Sequence, residues 1–228
     1  MHVARCVLAE WQLVRIRLLR TRLGLWLLLL GAGLVWLAVS APHPDLVRLA
    51  VRAGALASIL TVAFGAGSDT DRAAIAMTLT HPTSPASLAC GRWLAAVSAG
   101  ALVVFATTAA SLWRGGAAVP VLGAIAAGLG TAAAVAGCTL PLVWLWGNAA
   151  AGVLFLYIGL AGALPPEQVV AQSHPGLLRL TAATLLEVAP SVWRYQALAA
   201  GGPTAWLHAI GWTVGGIVGA TWTARWRR

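Results

Sequence analysis

The feature that most constrains this chain is a succession of apolar runs, each near the length of a bilayer crossing, with almost no charge inside them. A bilayer core about 30 Å thick is crossed by roughly 20 helical residues, and lipid offers the backbone no hydrogen-bond partners. Only helices or a closed barrel survive there, and runs of this length read as helices. The balance of residues agrees: 60% of the 228 residues are hydrophobic and 9% are charged, against about 25% charged in soluble domains. The expected class is an all-α integral membrane protein.

Residues 1–22, "MHVARCVLAEWQLVRIRLLRTR", come first. Val3, Val7, Trp11, Val14 and Leu18 recur at helical spacing, with Arg5, Arg15 and Arg22 largely off that stripe. A basic helix with one apolar face lies in the membrane surface. No small-residue cleavage site follows a short apolar core, so a removable leader is not expected. Six spans follow, at about 23–40, 46–67, 91–113, 119–143, 148–164 and 204–222. Trp93 and Trp113 are 20 residues apart, as are Trp206 and Trp226. That separation is roughly 30 Å on a helix, so each pair is expected to bracket one crossing at its two interfaces.

The net charge of +9 rests on arginine alone, since the chain has 15 arginines and no lysine. With the N-terminus inside, ten arginines fall on cytoplasmic segments (5, 15, 17, 20, 22, 72, 92, 225, 227 and 228) and five outside (48, 52, 114, 179 and 194). That asymmetry follows the positive-inside rule and places both termini in the cytoplasm of a bacterial inner membrane. Basic residues at span ends are topology signals, and no soluble module carries them as a nucleic-acid face.

Much familiar chemistry is excluded. The phosphate loop GxxxxGK[ST] requires a lysine that this chain lacks. His2, His43, His81, His174 and His208 stand apart, with no HExxH, and no GxSxG occurs. Cys6, Cys90 and Cys138 are an odd, widely spaced set that reads as small buried hydrophobes. None of the six acids falls near the middle of an expected span, which argues against a secondary transporter.

Three segments remain to carry function. "GSDTDRAAIAMTLTHPTSPASLACGRWLAA" (67–96) interrupts two apolar runs with polar residues. Ser68, Asp69 and Thr70 can cap a short helix over 71–80 that Pro82 and Pro85 end. Such a helix is offered to something in the cytoplasm, or else simply caps two spans, anchored by Arg72 and Arg92. Arg48 and Arg52, four residues apart, share a face near the outer end of the second span. They either snorkel to headgroups or line an outer gate suited to an anionic group. Residues 165–203 form an outer segment with a helix over about 176–188, bounded by Pro175 and Pro190. Its apolar face is Leu177, Leu178, Thr181, Leu185 and Val188, and it is expected to lie on the surface. Pro141 either kinks or ends the fourth span near its cytoplasmic end.

Asp71, "AAIAMTLT", "HPTSP" and "ACGRWLA" together resemble the segment after the second span of ABC-2 type transporter permeases. There an acidic residue, a short coupling helix, a proline break and a small-Gly-basic start to the third span follow one another. The resemblance implies a six-span exporter subunit of ABC-2 (type V exporter-like) fold, paired with a second permease as homodimer or heterodimer. It implies a separate ATPase subunit that binds ATP and Mg. The coupling residues would be Asp71, Arg72, Ile75, Met77, Leu79 and His81. This chain departs from the family pattern at Ala73, Ala74 and Ala76, where Gly and Glu are usual, and at Pro85, where a basic residue is usual. "APHPD" is also similar to the proline pair of the haem-exporter permease of cytochrome c maturation. A membrane scaffold or assembly factor shares the composition without needing an ATPase. Cysteines placed at Ser173 and Ser84 are expected to label from outside and inside respectively; labelling of both from one side refutes the six-span topology.

Overall fold

The computed structural model describes residues 2–20, 22–40, 45–66, 84–113, 121–160, 164–172 and 176–226. Among these there is helix and no strand. The helices are α1 (His2–Arg20), α2 (Arg22–Ser40), α3 (Leu46–Ala66), α4 (Pro85–Trp113), α5 (Val121–Trp146) and α6 (Asn148–Gly159). They continue with α7 (Pro166–Gln172), α8 (Leu177–Val188), α9 (Val192–Tyr195), a 3₁₀ turn (Gln196–Ala200) and α10 (Pro203–Trp226). Three helices are long and apolar enough to cross a membrane: α3 over Leu46–Gly65, α4 and α5. Gly24–Ser40 and Asn148–Gly159 are shorter apolar helices. α10 has 24 residues, but its glycines, threonines, tryptophans and His208 dilute its hydropathy.

Helix ends follow local chemistry. Asp45 caps α3, its Oδ1 accepting the Arg48 backbone N–H at 3.0 Å. Ser84 caps α4 in the same way through Ser87 N–H at 3.1 Å. Pro85 therefore opens this helix, in the first-turn position where a missing N–H costs nothing. The span expected from 91 begins six residues sooner. Gly147, at φ 71, turns the chain between α5 and α6. Pro141 does not end its helix, which runs on to Trp146.

α3, α4 and α5 form the centre, and they meet through small residues. A Cβ on Gly54 would collide with the Gly128 carbonyl, and one on Gly128 would lie 2.9 Å from the Ala50 carbonyl. A Cβ on Gly100 would sit 2.8 Å from that of Ala132. Around them Ala50, Ala53, Ala55, Ala57, Ala96 and Ala127 are fully buried. Lipid tails are as apolar as leucine, so helices associate there by close backbone approach, which small residues permit. Five buried hydroxyls are satisfied locally: Ser58, Thr61, Thr107, Thr131 and Thr139 each donate to the carbonyl four residues back, at 2.6–2.7 Å. α10 joins at a second close approach. Pro141 leaves the Gly137 carbonyl without its i+4 donor, and Gly216 lies against that carbonyl where any side chain would collide.

α1 is more than a surface helix. Trp11 Nε1 donates to Ser98 Oγ of α4 at 3.0 Å, Glu10 is buried, and Gly91 accommodates Val7 and Glu10. The tryptophan bracket fails at one end. Trp93 Nε1 reaches the Ala133 carbonyl in the middle of α5 at 3.0 Å, so this indole packs inside the bundle; Trp113 is 94% exposed. Gly54→Ala is expected to lower the thermal midpoint in detergent by roughly 2–8 °C, because overpacking costs about 1–3 kcal/mol. Gly33→Ala, where a Cβ meets nothing within 4 Å, is expected to leave it unchanged; equal effects would refute the close-approach account.

Candidate functional site

The expected coupling residues Asp71, Arg72, Ile75, Met77, Leu79 and His81 lie outside the described residues. The structure brings the ends of α3 and α4 to either side of them. Arg48 is exposed and its Nε lies 3.5 Å from Asp45 Oδ2, so it closes the first turn of α3. Arg52 is half-buried, and its Nε is shielded from solvent without a hydrogen-bond partner among the described residues. Of the expected pair, only Arg52 is thus placed inside the bundle with unused donor capacity. Arg92, at the opposite end, is buried with its guanidinium 5.8 Å from the Trp144 ring.

The most elaborate polar arrangement lies where the sequence suggested only a surface helix. The Val188 carbonyl, at the end of α8, accepts from His208 Nε2 at 3.0 Å and from Trp212 Nε1 at 2.8 Å. Those residues stand about 8 Å and about 13 Å along α10 from Pro203. The C-terminal end of α8 therefore meets the last long helix, and Ala189–Pro190 leads the chain on into α9. Among the described side chains of α8 Leu186 is buried; Leu185 and Val188, on the expected apolar face, are exposed. Glu187 thereby comes to lie beside α10, in the recess that His208 and Trp212 also line.

This elbow is closed by its own side chains. The last carbonyls of a helix have no intrahelical partner and need one when buried. Arg194 Nη1 donates to the Glu187 carbonyl at 2.6 Å, and Nη2 pairs with the Glu187 carboxylate. The same guanidinium stacks on Trp193 at 5.2 Å. Because a carbonyl only accepts, His208 Nε2 carries the hydrogen directed at Val188. Nδ1 of the neutral ring then accepts from the Tyr195 hydroxyl at 3.0 Å. Burial pushes that hydroxyl well above its ordinary pKa, with Cys138 adding to the effect, Arg194 opposing it and Tyr157 adding again. It stays protonated and remains a donor. Ser191 Oγ, Trp193 Nε1 and Tyr157 Oη are buried without a hydrogen-bond partner among the described residues.

Beside the elbow runs an open groove of about 590 Å³, lined by Pro141, Glu187, Val188, His208 and Trp212, with Gly211, Gly215 and Gly216 as floor. A carboxylate and an imidazole thus face a recess in an otherwise apolar helical surface. No cluster of three or more histidine, cysteine or acidic side chains suited to a metal occurs among the described residues. Sequence reading missed this site because its members are drawn from residues 141–216 and share no motif. The one local signal was the pair Glu187 and Arg194 across Pro190.

Comparison with protein-family models, curated proteins and solved structures found no match. Fold and site together define an all-helical membrane-class protein with a polar elbow set against its last long helix.

Replacing His208 by Ala and Trp212 by Phe removes both donors to Val188. Each lost hydrogen bond is worth about 1 kcal/mol, so opening of the elbow is expected to rise on the order of tenfold or more. A cysteine at Ser191, which is 1% exposed, reports this as faster maleimide labelling; an unchanged rate would show that these bonds do not hold the elbow.

Proposed function

We propose that this chain is the permease subunit of an ABC-2 type exporter in a bacterial inner membrane, with six spans and both termini cytoplasmic. α2, α3, α4, α5, α6 and α10 supply the crossings. A second permease subunit completes the path, and a separate ATPase docks on residues 71–80. ATP and Mg belong to that partner. Nucleotide binding shifts an inward–outward equilibrium by its differential affinity for the two states, and the short helix transmits the movement.

The observation that carries this reading is the elbow: an ion pair and an imidazole beside the first half of a 24-residue helix. With α10 as a crossing, polar and ionisable groups beside it are costly in a membrane and mark pathways for polar cargo. A scaffold has no use for them. Buried donors left unmatched at Ser191, Trp193 and Tyr157 lower the cost of the elbow leaving this position. Arg52, with unused donor capacity near the start of α3, suits an outer gate for an anionic group.

Ile75→Ser combined with Leu79→Ser is expected to release the ATPase or uncouple its hydrolysis, while the membrane subunit still inserts. Truncating a docking anchor costs about 2 kcal/mol or more, roughly thirtyfold in affinity. The measurement is co-purification of a P-loop ATPase with the full chain from its native membrane, wild type against variant, with native electrophoresis to check folding. Wild-type protein that retains no ATPase in mild detergent refutes the exporter reading and favours a scaffold.

A further inference from the structure

We propose that the elbow is a pH-sensitive latch: it closes on α10 around the uncharged His208 ring, and a second ring proton opens it. The latch lies within this chain and needs no ATPase, so it stands or falls apart from the exporter reading.

Hydrogen bonding sets the number of protons the closed elbow can hold. His208 makes two bonds that join the elbow to α10, one to each arm, and Trp212 makes a third. Towards α8, Nε2 meets the Val188 carbonyl, which only accepts, so this nitrogen carries a hydrogen. Towards α9, Nδ1 lies 3.0 Å from the Tyr195 hydroxyl, and a single hydrogen sits between the two atoms. A proton added at Nδ1 places a second hydrogen in that space. The fully buried Tyr195 hydroxyl then has to accept instead of donate, and its hydrogen leaves the acceptor it has here. A buried donor stripped of its partner is destabilising.

Charge acts in the same direction. Arg194 of α9 and Glu187 of α8 are the charged groups that act on the ring. Cys138 of α5, Tyr157 of α6 and Arg194 act on Tyr195 behind it. Arg194 already holds Glu187 by both its carbonyl and its carboxylate. With a neutral ring the pair balances. With a charged ring, an imidazolium and a guanidinium share one carboxylate. One positive charge is then left over beside a helix flanked by exposed Leu207, Ile210 and Val214. Moving the elbow away from α10 relieves both conflicts. The recess that His208 lines is open, so a proton reaches the ring in the closed state. A freed ring takes up its second proton near the ordinary imidazole value of about 6.5. The closed elbow is therefore fully favoured above that pH and loses up to about tenfold in its favour per pH unit below it.

The test follows amide hydrogen exchange of residues 186–195 in the purified full chain, in phosphatidylcholine nanodiscs without ATPase. Rates are taken from about pH 8 to about pH 5, each divided by the intrinsic exchange rate at that pH. Wild-type protection is expected to fall about tenfold between pH 7.5 and 5.5, the change one histidine of ordinary pKa supplies. His208→Gln keeps a donor and an acceptor but has no titrating nitrogen, and is expected to hold one level of protection throughout. Replacing His2, His43, His81 and His174 together by Gln is expected to leave the wild-type response in place. This second variant decides the matter if His208→Gln proves unprotected at every pH. Constant wild-type protection overturns the proposal, as does an equal fall in His208→Gln or loss of the response in the fourfold variant. A fall that begins only below about pH 5 also overturns it, because a carboxylate titrates there and the trigger is then Glu187.

Discussion

Close approach of backbones at glycine is the constraint on which the rest of this structure depends. Where the solvent is hydrocarbon, burying leucine against leucine gains little over leaving it in lipid, so contact area must come from helices touching directly. Gly54 on Gly128 and Gly100 on Ala132 bring α3, α4 and α5 together, and Gly137 on Gly216 attaches α10. Large apolar residues such as Leu28, Leu102, Leu122 and Val153 are left on the outside, the arrangement expected of a lipid-facing surface.

The second contact carries a consequence for the site. Pro141 removes the donor to the Gly137 carbonyl, and the absence of a side chain at Gly216 lets α10 cover that carbonyl. α10 is thereby held with Trp212 and His208 turned toward the elbow, where the end of α8 has carbonyls that need donors. Packing at one face of α10 thus determines which side chains are available at another. The two helices share Pro141 and Gly216 as walls of the groove.

In the proposed exporter, this coupling gives the elbow its use. The His208 and Trp212 bonds to one carbonyl, together with the Arg194–Glu187 clamp, hold the turn against α10. Ser191, Trp193 and Tyr157 favour alternative arrangements because their donors are unmatched here. An element held by few bonds and carrying unmet polar groups moves at modest cost. Segment 67–83, between α3 and α4, is where the proposal applies force, and both helices belong to the glycine-packed centre.

Composition and periodicity were sufficient for the helical membrane class, because a bilayer permits few backbone solutions and long apolar runs select one of them. They located α3, α4 and α5 to within several residues, and the helix over 177–188 to within one. Pro85 opens a helix behind Ser84, and of the two alternatives open at Pro141 the helix does not end there. Trp93 was assigned to an interface by its side-chain preference, yet its indole found a carbonyl inside the bundle. Tertiary structure alone decided the burial of Leu186 in place of Leu185, and the meeting of residues 141, 187, 208 and 212 in one groove. The reason is physical: periodicity reports which side of a helix is apolar, and in lipid both sides are. Where a helix lies, and how deep, is decided by which backbones can touch and which carbonyls find donors, and those partners are far apart in the chain.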